Sequence, residues 1–91
     1  MRVRVRFSGR VQGVGFRATA QAIARDWPVT GWVRNEVDDS VLMEVQGAAD
    51  SIEGVLTALR ERMRRCITTV ERMPVGDRAG ESSFEIRRER I

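Results

Sequence analysis

The sequence predicts a small α+β domain in which two helices cover one face of an antiparallel sheet. Segments with strand-like alternation and segments with helical apolar spacing follow one another in the order βαββαβ, with one short strand-like segment after them. The length of 91 residues allows one modest hydrophobic core and no second domain. We therefore expect residues 1–91 to form a single ferredoxin-like sandwich with a short fifth strand.

The first half of the chain predicts a strand, a helix and a hairpin. Arg2 to Phe7 alternates strictly, which indicates a half-buried strand with its arginines on the solvent face. Apolar residues recur at helical spacing from Phe16 to about Asp26, Trp27 is expected to contact the core, and Pro28 ends this helix. The hairpin consists of a strand at Val29 to Asn35, an acidic turn at Glu36 to Asp39 and a strand at Val41 to Gln46.

The second half predicts a longer helix followed by two strands. Asp50 and Glu53 have the spacing of a capping box, and an apolar stripe continues the helix to about Arg65. The β-branched segment Ile67 to Met73 is typical of a strand, and a polar loop separates it from a last short strand at Phe84 to Arg87.

A glycine-rich segment, GRVQGVGFR from Gly9 to Arg17, joins the first strand to the first helix. Its glycines allow main-chain N–H groups to approach an anion closely, and the helix that follows directs its own unpaired N–H groups to the same place. The segment is either a phosphate cradle or a simple turn between strand and helix, and the local pattern does not decide between them. The cradle would be formed by the backbone amides of Gln12, Gly13, Val14, Gly15 and Phe16.

A second motif, GWVRN from Gly31 to Asn35, ends the second strand. A crossover through the first helix makes strands one and two run in the same direction, with strand three between them. The loop after strand one and the end of strand two therefore share one edge of the sheet, where ligand sites often lie. This topology predicts that Arg17 and Asn35 lie close together.

The two motifs together resemble those of the acylphosphatase family, whose members hydrolyse carboxyl phosphates. The resemblance covers nearly the whole chain through the order of its elements. It implies that Arg17 binds the phosphate together with the loop amides and that Asn35 orients the attacking water. Two departures lie away from the motifs: Pro28 stands where many members have a glycine, and Arg65-Cys66 stands where a Gly-Pro pair is common.

The composition excludes several kinds of chemistry. All 16 basic residues are arginines, and the chain contains no histidine, lysine or tyrosine. An imidazole metal site, a Ser-His pair, a Schiff base and a P-loop lysine are therefore impossible. Phosphate chemistry would have to use arginine, backbone amides and neutral polar groups. The net charge of +3 suits small anions and is too weak by itself to indicate nucleic acid.

The expected partners follow from the resemblance and the composition. An acyl phosphate already has a good leaving group, so we expect no cofactor and no metal. The substrate would be a small acyl phosphate, with inorganic phosphate as product and inhibitor, and the protein is expected to be a monomer without nucleic-acid or membrane partners. The chain has no signal-peptide pattern and no membrane-length apolar run, and its one cysteine fits a reducing compartment, which together predict a cytoplasmic protein.

Two other motifs are weaker. Gly13, Gly15 and Ala18 match the G-x-G-x-x-A dinucleotide fingerprint, but that motif needs a parallel sheet, which the hairpin contradicts. Cys66 and Arg72 have the C-x₅-R spacing of cysteine phosphatases, but the residues between them are β-branched and lack glycine. We therefore expect Cys66 to pack as a small apolar group.

Three other functions fit the sequence less well. Glu36, Asp38 and Asp39 could hold a hard cation, but carboxylates scattered in a turn are more often solvated. An RNA-binding module would need aromatic residues on the third strand, which has none, and Trp32 is expected to pack beside the second motif. A noncatalytic anion-binding domain could keep the cradle, but the presence of both Arg17 and Asn35 favours an enzyme.

Overall fold

The computed structural model describes residues 1–88, and it contains the predicted elements in the predicted order. Neither helix in this part of the chain has the length and apolar content needed to cross a membrane. The elements are β1 Arg2–Gly9, α1 Phe16–Ala24, β2 Thr30–Asn35, β3 Val41–Gln46, α2 Ala49–Arg62, β4 Ile67–Val75 and β5 Phe84–Arg87.

The five strands form one sheet in the order β4-β1-β3-β2-β5. β1 pairs antiparallel with β3 and β4, and β2 pairs antiparallel with β3. β1 and β2 therefore run in the same direction with β3 between them, as the sequence predicts. The short β5 pairs parallel with β2, which makes the sheet mixed. This is the expected ferredoxin-like α+β fold.

The core lies between the helices and one face of the sheet, where alternate residues of each strand are buried. Val3, Val5 and Phe7 of β1 face it, and so do the three apolar residues of β3 that the alternation predicts. Burial of these side chains is the main stabilising term of the fold. The apolar stripe of α2 completes the core with Ile52, Val55, Leu56, Leu59 and Met63.

Helix α1 ends at Ala24, two residues earlier than predicted, and the chain turns before it reaches Pro28. The N–H groups of Asp26 and Trp27 bond three residues back, to the carbonyls of Ile23 and Ala24, which tightens the last turn. As a result the Trp27 side chain is 39% exposed and lies against Gly54 of α2. The prediction that Trp27 is a core contact is wrong.

Helix α2 also differs from the prediction at both ends. Its N-cap residue is Ala48, and no side chain caps the helix, so Asp50 lies in the first turn and does not form the expected capping box. The negative charge of Asp50 is still favourable there because it faces the positive end of the helix dipole. The helix ends at Arg62, about one turn before the predicted end at Arg65. The N–H of Cys66 then bonds to the carbonyl of Met63 and turns the chain into β4.

Arg2 is buried, although strict alternation places it on the solvent face of β1. Its side chain is 1% exposed and donates from Nε to Glu44 at 2.6 Å and from Nη1 to Glu81 at 2.7 Å. Arg4 donates to the other oxygen of Glu44 at 2.6 Å. Burial raises the pKa of Glu44, but the hydrogen bonds from the two arginines outweigh it and hold that pKa below its ordinary value. The hydrogen bond from Arg2 likewise lowers the pKa of Glu81.

We expect the free energy of unfolding to decrease as the pH falls below about 4.5, the ordinary pKa of a glutamate. A carboxylate whose pKa is lower in the folded state stabilises the fold above its unfolded pKa and loses that effect as it is protonated. Arg2→Gln should cost about 2 kcal/mol at neutral pH and weaken the pH dependence. Denaturant unfolding at neutral and acidic pH measures both effects.

The matched control is Arg4→Gln. Arg4 pairs with the same Glu44, but its side chain is 45% exposed, so solvent already screens the interaction. This variant should lose less stability than Arg2→Gln. Equal losses for the two variants would show that burial of Arg2 is irrelevant to its contribution.

Candidate active site

The loop between β1 and α1 has the backbone that its glycines predict. Gly13 has a φ of 77° and Gly15, the N-cap residue of α1, has a φ of 79°. Both lie in the left-handed region, which residues with a Cβ rarely adopt. Among residues 1–88, no atom outside the neighbouring residues lies within 4 Å of a Cβ built at either position. Backbone conformation, and not lack of space, therefore requires glycine here.

The amides from Gly13 through the first helical turn have no backbone acceptor among the described residues. The first main-chain bond of α1 runs from the N–H of Thr19 to the carbonyl of Gly15 at 3.0 Å. Within residues 1–88, the N–H groups from Gly13 to Ala18 donate to no backbone carbonyl. A helix N-terminus with free N–H groups carries a partial positive charge and binds anions.

A concavity at this edge of the sheet brings the two sequence motifs together. Arg17, from the first turn of α1, and Asn35, the last residue of β2, both line it, and both are half-buried. The predicted strand order places Arg17 and Asn35 together in the same way. Val14 is exposed and does not line the concavity. The lining residues are Val11, Gly13, Gly15, Phe16, Arg17, Ala18, Asn35, Ile86 and Arg88.

Gln12 also does not line the concavity, and its side chain lies against the turn between β2 and β3. Its side-chain amide donates to the carbonyls of Glu36 at 2.8 Å and Ser40 at 2.9 Å. These carbonyls flank the turn between β2 and β3. The contacts fix the loop relative to the strand that carries Asn35, so Gln12 contributes to the geometry of the site through its side chain.

Two residues of the concavity, Ile86 and Arg88, were not predicted from the sequence. They reach the site because β5 pairs parallel with β2, with Arg34 opposite Arg87 in the register. Continuing this register by one residue places Arg88 beside Asn35. Alternation along the last strand indicates that Ile86 and Arg88 share one face. The sequence does not show that this strand pairs with β2, so it does not place the two residues in the site.

The charge of the concavity is positive. Among residues 1–88, two arginines and no carboxylate line it, and neither Arg17 nor Arg88 forms an ion pair with another described residue. Five arginines of the sheet do have acidic partners, namely Arg2, Arg4, Arg6, Arg34 and Arg72; Arg34, for example, donates to Glu36 at 2.8 Å. Unpaired guanidinium groups beside free amides favour a small anion with several oxygen atoms.

The acidic turn beside the site is only partly solvated. Glu36 is 7% exposed and accepts the hydrogen bond from Arg34, so the expectation that its carboxylate is solvated is wrong. Asp38 is exposed and accepts from the backbone and hydroxyl of Ser40, which lower the pKa of its carboxyl group. In the part of the chain that is described, no three acidic or thiol side chains converge as a metal site would require.

The cysteine-phosphatase motif does not form a loop. The residues after Cys66 belong to the strand β4, and Arg72 pairs with Glu53 of α2 at 2.6 Å. Cys66 is half-buried against the core, as expected for a small apolar group. The segment from Cys66 to Arg72 therefore lacks the phosphate-binding loop of a cysteine phosphatase.

Trp32 packs on the face of the sheet away from the helices. It is 4% exposed, and the guanidinium groups of Arg34 and Arg87 lie over its ring at 4.8 and 4.6 Å. These cation–π contacts cover the indole, so it offers no platform for a nucleic-acid base. The prediction that Trp32 is a packing residue is confirmed.

The chain matches the acylphosphatase family model and is similar to curated acylphosphatases. The acylphosphatase family model matches residues 3–86. An acylphosphatase from Salinibacter ruber is 51% identical over 63 residues, which cover 69% of this chain and 66% of that protein. An acylphosphatase from Methanospirillum hungatei is 39% identical over 90 residues, or 97% of this chain and 98% of that protein.

Comparison of the fold with solved structures also finds an acylphosphatase. The crystal structure of acylphosphatase from Bacillus subtilis superposes with a TM-score of 0.82 at 27% identity, covering 93% of this chain and 96% of that one. The chain spans just under two thirds of the Salinibacter relative and almost all of the Methanospirillum relative. Because the family model covers nearly all of the sequence and the fold agrees with it, this chain belongs to the acylphosphatase family.

Proposed function

We propose that this protein hydrolyses acyl phosphates to a carboxylate and inorganic phosphate. Membership of the acylphosphatase family supports this reaction class. The observation that carries the proposal is the concavity in which the glycine loop, Arg17 and Asn35 meet, and whose lining contains no carboxylate from residues 1–88. We further propose that residues 1–91 act as one domain and as a cytoplasmic monomer.

The loop would bind the phosphoryl group of the substrate. The backbone amides from Gln12 to Phe16 would surround its oxygens, and the planar guanidinium of Arg17 would donate two parallel hydrogen bonds. Negative charge on these oxygens must be stabilised as the transition state forms. Donors that are already fixed in position do this without reorganisation, which makes them effective.

Asn35 would orient the attacking water. It lies at the end of β2, in the same concavity as Arg17, so its amide can hold a water on the side of phosphorus opposite the leaving group. An amide is not a base at neutral pH. We therefore propose that a phosphoryl oxygen of the substrate accepts the proton of the water.

The chemistry of the substrate explains why so few groups suffice. The leaving group is a carboxylate, which is stable without protonation, so the site needs no general acid. No hydroxyl, thiol or carboxyl side chain lines the concavity within residues 1–88. We therefore propose direct attack by water with no covalent phosphoenzyme.

Hydrolysis of benzoyl phosphate by the purified protein tests the proposal, with and without a chelator. Turnover that the chelator does not change is the expected result. A folded protein that binds RNA in a salt-dependent way and leaves benzoyl phosphate intact would instead identify a nucleic-acid module. A protein that binds inorganic phosphate without turnover would be a noncatalytic anion-binding domain.

Replacement of Cys66 by serine should leave hydrolysis within about twofold of the parent. The thiol packs against the core and does not line the concavity, so only stability should change, by roughly 1 kcal/mol. Thermal unfolding and steady-state kinetics of Cys66→Ser measure the two quantities. Complete inactivation of a folded variant would restore the cysteine-phosphatase interpretation.

A further inference from the structure

We propose that Arg88 is a second phosphate-binding residue, which contacts the phosphoryl group from the side of the concavity where Asn35 lies. The inference rests on the proposed function and adds a residue to its site. Arg88 lines the same concavity as Arg17 and Asn35. It was not part of either sequence motif.

The position of Arg88 follows from the pairing of β5. Gly31 lies opposite Phe84 and Arg34 opposite Arg87, so the next pair along the two parallel strands is Asn35 with Arg88. Neighbouring strands are about 4.8 Å apart, and an arginine side chain is longer than that distance. The guanidinium of Arg88 can therefore extend past the short Asn35 side chain towards the phosphate loop.

The surroundings of the Arg88 charge support the proposal. Within residues 1–88 Arg88 forms no ion pair, and no carboxylate lines the concavity. Its neighbour Arg87, by contrast, lies over the Trp32 ring at 4.6 Å on the other face of the sheet. Two consecutive arginines thus have different environments, and only Arg88 is available to an anion in the site.

The in-line geometry of the reaction indicates which part of the substrate Arg88 contacts. Water held by Asn35 attacks phosphorus from the side opposite the acyl group. Arg88 lies on the Asn35 side, so its partner is a phosphoryl oxygen and not the acyl chain. The contact exists for the substrate and for inorganic phosphate alike, and its effect should be on binding more than on turnover.

The expected effect is moderate because Arg88 is exposed. A single ion pair at the surface changes an equilibrium by about two- to fivefold. Arg88→Gln should therefore raise KM for benzoyl phosphate and the dissociation constant of inorganic phosphate by the same factor, with kcat within about twofold of the parent. Arg88→Lys should restore most of the affinity, because an exposed cation acts mainly as a point charge.

The experiment combines calorimetric titration with inorganic phosphate and steady-state kinetics at low and high salt. Added salt should reduce the difference between Arg88→Gln and the parent, because it screens the exposed charge. Arg87→Gln is the matched control: it removes the same charge one residue away, and it should leave phosphate affinity unchanged.

Three results would overturn the inference. One is an Arg88→Gln variant with unchanged phosphate affinity. Another is a loss of the same size in Arg88→Lys. The third is an effect confined to 3-carboxybenzoyl phosphate and absent with 3-methylbenzoyl phosphate, which would place Arg88 on the acyl group. If the parent binds phosphate but hydrolyses no acyl phosphate, the proposed function fails and the titration still decides the role of Arg88.

Discussion

Arg17→Lys should lower the turnover of an acyl phosphate on the order of 10²- to 10³-fold, as for loss of one preorganised donor in an oxyanion site. Lysine keeps the positive charge but has no planar pair of donors for two phosphoryl oxygens. Arg17 is half-buried in the first turn of α1. Water therefore cannot easily replace the hydrogen bond that is lost when the guanidinium becomes an ammonium group. Steady-state kinetics with benzoyl phosphate measures the loss, and phosphate titration should show weaker binding as well.

The control for this substitution is Arg10→Lys. Arg10 belongs to the same motif but is exposed, and its backbone N–H bonds to the carbonyl of Cys66 at the entrance of the loop. A lysine there keeps that backbone contact, so hydrolysis should change less than about twofold. If Arg17→Lys also stayed within a few-fold of the parent, Arg17 would be an ordinary surface arginine and the proposed site would be wrong.

Asn35→Ala should remove most of the turnover, about 10²-fold or more, while inorganic phosphate still binds nearly as in the parent. The reason is that a water-orienting residue acts on the attacking group and not on the phosphate itself. Asn35 pairs with Val41 in the β2–β3 hairpin through its backbone, and alanine keeps that pairing. Circular dichroism and unfolding checks that the variant is folded, and calorimetry measures its phosphate affinity.

Asn35→Asp is a sharper variant at the same position. It keeps the size of the side chain and adds a negative charge beside an anionic substrate, so phosphate affinity should fall in addition to turnover. Parallel loss of phosphate affinity and activity in the alanine variant would give Asn35 a direct phosphate contact or a structural role. The difference between the two variants therefore separates orientation of water from binding of phosphate.

Much of the fold could be predicted because local patterns and topology agree. The alternation of β1 and β3 and the stripe of α2 fixed which residues form the core, and the crossover rule fixed the direction of β2. Element ends were less predictable. Asp50 has the spacing of a capping box, yet the helix begins at Ala49, because the ends of α2 depend on how it packs and not on capping propensity alone.

Residues that depend on distant partners could not be predicted. Arg2 alternates like an exposed residue, but Glu44 and Glu81, far away in the sequence, enclose it. Arg88 lies in the concavity only because β5 joins the sheet beside β2. Arg17 and Asn35, by contrast, could be placed together from topology alone, since the first crossover determines the edge of the sheet that they share.

The interleaved strand order also sets how quickly the site can form as the protein folds. β2 and β3 make a local hairpin, but β1 must pair with β3 and with β4, so that Arg2 comes to lie opposite Gln46 and Val75. Such distant pairings carry a loop-closure cost before any contact offsets it, and folding is expected to take on the order of milliseconds or longer. During synthesis, β2 lacks its outer neighbour until Phe84–Arg87 has left the ribosome. Arg17 and Asn35 are close in sequence, yet their shared concavity is complete only once β5 has paired with β2.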